Sequence, residues 1–138
     1  MKIASEQEML DFGKSFAAQL SVPSIIELLG DVGTGKTTFT RGLAASLGIK
    51  EPVTSPSFTI SKSYAFKKAD KECTLVHYDF YRLKDPGLMA EDLEESLSNP
   101  NAIVIVEWAN TVENFLPKNR TIIEILLNDD GTREVNVK

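Results

Sequence analysis

The stretch that decides the fold is Gly30–Thr40, GDVGTGKTTFT. It matches the pattern G-x-x-x-x-G-K-[ST], in which backbone N–H groups surround the phosphates of a nucleotide. The apolar run Ser24–Leu29 (SIIELL) that precedes it predicts a buried strand. Lys36–Leu47, which follows, predicts a helix that stops at Gly48. Strand, glycine loop and helix in this order predict a phosphate-binding loop (P-loop) rather than a plain glycine-rich turn.

Length and composition narrow the class of protein. The 138 residues predict one domain, 1–138, with a single core. A net charge of −5 disfavours a broad nucleic-acid surface, because such surfaces need clustered Lys and Arg. One cysteine and one histidine exclude an intrachain disulfide and a Cys/His zinc site. The chain has neither the apolar core of a signal peptide nor a membrane-length apolar run, so we expect a cytoplasmic protein.

The other elements follow from periodicity and turn residues. Ser5 and Glu8 form a capping box at the start of a helix predicted over Glu6–Leu20. Thr59–Phe66 and Thr74–Phe80 predict an antiparallel hairpin. The further predictions are a polar turn over Lys67–Glu72, an acidic amphipathic helix over Leu88–Leu97, a strand buried on both faces over Ala102–Val106, and strands over Thr121–Leu127 and Thr132–Val137 joined at Asp130-Gly131.

The P-loop residues have distinct expected roles. The backbone N–H groups of residues 32–37 point at the β-phosphate, and the helix dipole favours the anion. Lys36 should bridge the β- and γ-phosphates, and the hydroxyl of Thr37 should sit on Mg²⁺. Asp31, Val32 and Thr34 should contribute mainly backbone groups.

A nucleotide site also needs an acid near the magnesium ion, at the carboxyl end of a neighbouring strand. Glu107 ends AIVIVE and Asp79 ends TLVHYD, and an aromatic residue follows each; the alternative is that each merely ends a strand at the surface. Trp108 is either core packing or an aromatic wall of the site. His77 shares the strand face of Asp79, although a lone histidine is more often structural than catalytic.

Residues 54–59, TSPSFT, offer four hydroxyl groups around a proline. Nucleotide switches place a loop that senses the γ-phosphate after the P-loop helix, where this segment lies. An ordinary Ser/Pro turn accounts for the same residues equally well. The residues themselves leave both interpretations open.

Four stretches in this order, GDVGTGKTTFTRGLAASLG, TSPSFT, HYDFYRL and VEWAN, resemble the TsaE family. These small bacterial ATPases are needed to make threonylcarbamoyladenosine on tRNA. The resemblance extends from about Glu6 to Arg133. It implies a three-layer α/β fold of the P-loop NTPase class, with a mostly parallel central sheet plus antiparallel hairpin strands.

The resemblance also implies cofactors and site residues. ATP and Mg²⁺ would be bound, with Thr37 and Glu107 holding the metal and Asp79 beside it. Lys36, Asp79 and Glu107 would be the catalytic residues. The residues that contact the nucleotide would be Glu6, Val32, Gly33, Thr34, Gly35, Lys36, Thr37, Ser55, Thr59, Trp108 and Arg133. Of these, Ser55 and Thr59 would lie in the nucleotide-responsive loop. Glu6 and Arg133 would lie near the adenine.

The implied partners are the two related subunits, of the TsaB and TsaD type, that transfer the threonylcarbamoyl group to adenosine 37 of tRNA. Contact with tRNA would occur only within that complex, and no membrane is involved. One alternative is a small-molecule kinase, although such kinases need an arginine-bearing lid and this chain has four unclustered arginines. The other is a nucleotide-gated binding module in which hydrolysis is incidental.

Overall fold

Seven strands and three α-helices make up the regular structure of the described part of the chain. The computed structural model describes residues 1–56, 59–85, 87 and 89–138. The strands are β1 (Lys2–Ile3), β2 (Ser24–Leu29), β3 (Ser61–Lys68), β4 (Lys71–Asp79), β5 (Ala102–Glu107), β6 (Thr121–Leu127) and β7 (Arg133–Val137). The helices are α1 (Glu6–Ala18), α2 (Lys36–Ser46) and α3 (Ala90–Ser98).

The strands form one sheet in the order β1-β7-β6-β2-β5-β4-β3. The four central strands, β6, β2, β5 and β4, are parallel to one another. Antiparallel strands flank them, with β7 and β1 on one side and β3 on the other. Helices α1 and α2 pack on one face of the sheet and α3 packs on the other. The predicted three-layer α/β fold with a parallel centre and antiparallel hairpins is confirmed.

Strand β5 separates the two halves of the core. Ile103 and Ile105 face the core under α1 and α2, whereas Val104 and Val106 face the core under α3. Every residue of β5 is buried, which explains the unbroken apolar run Ala102–Val106 that precedes Glu107. Burying an isoleucine side chain contributes about 1.5–3 kcal/mol to the free energy of unfolding. Strand β5 therefore stabilises the packing of helices on both faces of the sheet.

The β3–β4 hairpin is longer and tighter than predicted. Pairing continues to Lys68 opposite Lys71, which leaves only Ala69 and Asp70 in the turn. Both turn residues have positive φ angles, 50° and 65°, the conformation whose twist suits a two-residue hairpin. The polar turn predicted over Lys67–Glu72 was therefore too long, because polar side chains on an exposed hairpin end do not prevent pairing.

Helix α3 is fixed to the sheet by one side chain. The hydroxyl of Tyr78, on β4, donates to Asp92 Oδ2 at 2.7 Å and lies 2.6 Å from Ser96 Oγ. Leu93 is fully buried in the core beneath the helix, as its predicted apolar face requires. The helix begins at Ala90, and the predicted start at Leu88 falls outside the described residues.

Short elements were not predicted. Strand β1 has two residues and pairs with β7. Two 3-10 helices, Ala109–Thr111 and Glu113–Phe115, follow β5. Segments this short carry no hydrophobic period that a sequence pattern could detect.

Helices α1 and α2 cross at two glycines. The capping box starts α1 as predicted, with Ser5 Oγ accepting from the Glu8 N–H at 3.1 Å. A Cβ atom on Gly13 would collide with the Phe39 carbonyl oxygen, and one on Gly42 would collide with the Leu10 carbonyl oxygen. These backbones therefore touch directly, and no side chain fits between them.

Replacing Gly42 with alanine should destabilise the protein by about 1–3 kcal/mol, the usual cost of overpacking. In an open helix the same change would stabilise by about 1 kcal/mol, so the close approach reverses the sign. Urea unfolding measures the effect, with Lys14→Ala on the exposed side of α1 as a control expected to change little. A Gly42→Ala protein at least as stable as its parent would contradict this packing.

Candidate nucleotide site

The predicted P-loop, residues 30–35, connects β2 to α2, and its conformation depends on glycine at two points. Gly30 has a φ of 154°, and a Cβ there would lie 2.7 Å from the Ile125 carbonyl oxygen and 2.8 Å from Thr34 Oγ1. Gly35, with a φ of 113°, is the N-cap of α2. Because a glycine cap has no side chain to accept their hydrogen bonds, the first N–H groups of α2 remain available to an anion.

Lys36 is buried and aimed at acidic groups. Its Nζ donates to the Gly30 carbonyl at 2.5 Å and lies 3.7 Å from Glu107 Oε1. The same ammonium sits 4.2 Å from the centre of the Trp108 ring. Burial lowers the pKa of Lys36, while the charges of Glu107 and Asp79 oppose that change. A buried cation held in this way provides a preorganised positive charge beside the loop.

Asp79 and Glu107 are direct neighbours across the parallel pair β4 and β5, at the carboxyl end of each strand. Both side chains are almost fully buried, at 4% and 3% exposure. Asp79 accepts from the Tyr81 N–H at 3.0 Å and from the Ser55 hydroxyl at 3.2 Å. The two acids are therefore buried at the strand ends and not exposed at the surface. Ser55, in the TSPSFT segment, contacts Asp79 directly.

Glu107 has a second buried partner. His77 lies two residues before Asp79 on the same strand face, and its Nε2 is 2.5 Å from Glu107 Oε2. The ring is fully buried. His77 thus contacts Glu107 from the interior, on the side away from Lys36, whose ammonium faces the other carboxylate oxygen.

Trp108 adopts a left-handed backbone conformation, with φ 56° and ψ 53°. Such a conformation costs a non-glycine residue roughly 1–2 kcal/mol and is frequent at functional sites. The ring is only partly buried, packs 4.8 Å from the Tyr81 ring, and covers Lys36. It also contacts the core under α3. Trp108 is therefore both a core contact and an aromatic wall.

These residues surround a cavity of about 200 Å³, which we call the carboxylate cavity. It lies between the P-loop and the ends of β4 and β5. Its lining residues are Val32, Gly33, Lys36, Thr37, Ser55, Asp79, Tyr81, Glu107 and Trp108.

A second cavity, of about 380 Å³, lies on the other side of the P-loop; we call it the α1 cavity. Gly33 and Thr37 line both cavities. Arg133, on β7, donates to the Gly33 carbonyl at 3.1 Å and to the Thr34 carbonyl at 3.2 Å, which connects the loop to β7. The α1 cavity is lined by Ile3, Ser5, Glu6, Met9, Gly33, Gly35, Thr37, Thr38 and Arg133.

The family model described as threonylcarbamoyl adenosine biosynthesis protein TsaE matches residues 3–135, nearly the whole chain. The chain belongs to the TsaE family. A TsaE protein of Bacillus subtilis is 37% identical over 135 residues, covering 97% of this chain and 81% of its own. One of Rickettsia bellii is 35% identical over 135 residues, covering 96% of this chain and 90% of its own. Both are named as tRNA threonylcarbamoyladenosine biosynthesis proteins, and this family is involved in that pathway.

A solved structure supports the same fold. The crystal structure of Bacillus subtilis YdiB aligns with a TM-score of 0.78 at 33% identity, covering 98% of this chain and 80% of that one. In the part of this TsaE-family chain that the structure describes, no helix is long and apolar enough to cross a membrane.

Most of the predicted site residues of this TsaE chain gather around the P-loop. Glu6 and Arg133 meet in the α1 cavity, and their proximity to adenine stays a prediction. Thr34 is buried and its hydroxyl donates to the Asp31 carbonyl within the loop. Thr59 is exposed, lines neither cavity, and donates to the Ser61 carbonyl. Ser57 and Phe58, in the same TSPSFT segment, fall outside the described residues.

Sequence reasoning missed several residues of the two cavities. The spacing D-x-Y after β4 was the signal for Tyr81, whose aromatic ring belongs to the wall made with Trp108. Met9 on α1 and Thr38 on α2 also line the α1 cavity, and no motif in the sequence marks either residue. The contact of His77 with Glu107 was also missed, because it depends on how β4 and β5 are aligned.

Proposed function

We propose that this protein is a Mg²⁺-dependent ATP hydrolase that binds the threonylcarbamoyl-transferase complex acting on tRNA and drives its turnover. The observation that carries the proposal is the carboxylate cavity, where a P-loop lysine and hydroxyl meet two buried acids. A P-loop alone would support only nucleotide binding. Acids beside it supply what hydrolysis requires, namely a metal ligand and a group that orients water.

The P-loop supports ATP binding through its backbone and one cation. The N–H groups at the start of α2 suit the β-phosphate, and Lys36 suits the β- and γ-phosphates. In this structure Lys36 Nζ donates to the Gly30 carbonyl and approaches Glu107. Phosphate oxygens would replace those acceptors, so the same charge that stabilises the loop would stabilise the charge that develops during phosphoryl transfer.

The residues present fit a magnesium ion. Thr37 and Glu107 line the same cavity and offer oxygen donors, which Mg²⁺ prefers. The described residues contain no group of three or more His, Cys, Asp or Glu side chains arranged to hold a metal, and none is needed, because Mg²⁺ keeps waters and takes phosphate oxygens as ligands. Thr37 and Glu107 would hold the ion, and its positive charge would offset the negative charge of the phosphates.

Asp79 is the proposed residue for positioning water or metal beside Glu107. Its carboxylate is held by the Tyr81 N–H and by the Ser55 hydroxyl. Ser55 lies in the segment proposed to respond to the nucleotide, so a change at the γ-phosphate could be transmitted through Asp79 to residues 54–59. The aromatic wall of Trp108 and Tyr81 would limit the access of bulk water.

The proposed partners are the two related threonylcarbamoyl-transferase subunits, of the TsaB and TsaD type, with tRNA contacted only within their complex. Membership of the TsaE family supports the pathway, and the net charge of −5 suits a protein held by protein partners rather than by RNA. The absence of membrane-length helices among the described residues agrees with a cytoplasmic location, which is part of this proposal.

The isolated protein should hydrolyse ATP slowly and its partners should accelerate it. Among the described residues, no arginine side chain lines the carboxylate cavity, and an arginine supplied to a P-loop site raises hydrolysis about 10³-fold or more. Release of inorganic phosphate, measured with and without the two partner subunits, tests this. Stoichiometric transfer of the γ-phosphate to a metabolite would establish a kinase instead, and tRNA modification independent of hydrolysis would establish a nucleotide-gated binding module.

The pathway has its own test. Mass spectrometry of tRNA nucleosides from cells depleted of this protein should reveal loss of threonylcarbamoyladenosine. Restoration by the intact gene serves as the control. Unchanged levels of the modified nucleoside in depleted cells would rule out the proposed role in tRNA modification.

A further inference from the structure

His77 is the single histidine of the chain, and it is fully buried at the end of β4. It does not line the carboxylate cavity. The fully buried imidazole therefore does not face that cavity, and its position does not suit a general base acting on a water there. The imidazole contacts Glu107, with Nε2 2.5 Å from Oε2.

The two carboxylate oxygens of Glu107 have different partners. Oε2 accepts from His77 in the interior of the protein. Oε1 faces the Lys36 ammonium at 3.7 Å, on the side of the cavity. A carboxylate held at one oxygen by a rigid ring cannot rotate freely, so the other oxygen keeps a fixed direction toward the phosphate side.

As a packing group, the buried imidazole of His77 contributes less to stability than an apolar side chain would. Its other ring nitrogen, Nδ1, has no hydrogen-bond partner within the described part of the chain. A buried polar atom without a partner destabilises the folded protein, and an apolar side chain at the same place would avoid that loss. The bond to Glu107 is what the imidazole provides there and an apolar side chain could not.

We propose that His77 is a positioning residue that orients Glu107 for the metal of the nucleotide. This inference rests on the proposed function, since it requires a Mg²⁺-nucleotide complex at Glu107. The geometry makes a specific demand: the donor must stand at the position of Nε2, because that atom alone of the ring contacts the carboxylate. The loss of such an outer partner typically lowers metal affinity about 10–100-fold.

The test compares binding of a non-hydrolysable ATP analogue by calorimetry in Mg²⁺ and in EDTA. We call the dissociation constant in EDTA divided by the dissociation constant in Mg²⁺ the metal gain. His77→Leu, which removes the donor, should lower the metal gain about 10–100-fold while affinity in EDTA stays near that of the parent. His77→Gln, whose amide nitrogen reaches the Nε2 position, should restore most of the gain. If the leucine variant does not fold, His77→Asn serves, because its amide is too short to reach Glu107.

Tyr78→Phe is the matched control, because Tyr78 is the next residue, equally buried, and bonded to α3 on the opposite face. It should lower stability without changing the metal gain. Equal metal gain in the parent and in the folded variant that lacks the donor, His77→Leu or His77→Asn, would overturn the positioning role and leave the proposed function intact. A parent protein with no metal gain would overturn the proposed function, and this inference with it.

Discussion

A Lys36→Met protein should fold and yet lose at least about 100-fold in ATP hydrolysis, the usual cost of removing one preorganised donor to a developing charge. Methionine keeps most of the apolar stem that crosses the buried site, so the loss isolates the ammonium group. Lys36 contacts the Gly30 carbonyl, Glu107 and the Trp108 ring, so its ammonium group connects the loop to the acidic and aromatic walls of the cavity. Phosphate release in the presence of the partner subunits measures the effect.

Lys68→Met is the matched control for that change. Lys68 also donates its ammonium to a backbone carbonyl, that of Leu20 at 2.6 Å, but at the far end of β3. We expect normal hydrolysis from this variant. The two variants should also differ in cells, where only Lys36→Met should abolish threonylcarbamoyladenosine in tRNA. Normal modification by Lys36→Met would favour the nucleotide-gated binding module over the hydrolase.

A Glu107→Gln protein should lose at least about 100-fold in hydrolysis and respond only weakly to added Mg²⁺. The change keeps the shape of the side chain and removes its charge. Glu107 is proposed as a direct ligand of the metal. Removing it should therefore reduce activity by more than the roughly 10–100-fold effect of removing a residue that only positions a ligand. A Mg²⁺ titration of the partner-stimulated rate measures both the maximal rate and the apparent metal affinity.

Glu27→Gln separates the loss of a metal ligand from the loss of any buried carboxylate. Glu27 is nearly as buried as Glu107, lies on neighbouring β2, and accepts from Arg120 Nε at 2.7 Å. Breaking this buried pair should lower stability by roughly 3–5 kcal/mol, because the arginine loses its counter-charge. The titration with Mg²⁺ should be unchanged. If Glu107→Gln retained the parent's Mg²⁺ dependence, the assignment of Glu107 to the metal would be wrong.

Local patterns predicted the parts of this fold that local forces determine. The P-loop has a fixed spacing of glycines and lysine, and the unbroken apolar run of β5 follows from burial on both faces. The first helix began where its capping box placed it, at Glu6. Asp79 and Glu107 could be proposed from the rule that functional acids follow buried parallel strands.

The contacts between those parts depend on alignment across long stretches of sequence. His77 and Glu107 are 30 positions apart, and they meet because β4 and β5 pair with Asp79 opposite Glu107. If the chain were shifted by one residue along either strand, His77 and Glu107 would lie on opposite faces of the sheet and could not meet. The sequence contains no local signal for this alignment, so it identified the acids but missed the histidine behind them.

Close backbone contacts were hidden for a related reason. Gly13 and Gly42 are ordinary helix residues in a pattern of apolar positions, where glycine suggests only lower helix stability. Their importance appears when two helices that are separate in sequence cross within touching distance. A residue selected for its lack of a side chain has no property that periodicity can detect.

The tryptophan wall has a practical consequence. Trp108 is the single tryptophan of the chain, so its indole dominates the intrinsic fluorescence when excitation avoids the tyrosines. That ring lies 4.2 Å from the Lys36 ammonium and lines the carboxylate cavity. Any ligand that draws the lysine away, or displaces water from the ring, changes the emission. The protein therefore carries its own optical probe of the carboxylate cavity, and ligand binding there can be followed without a label.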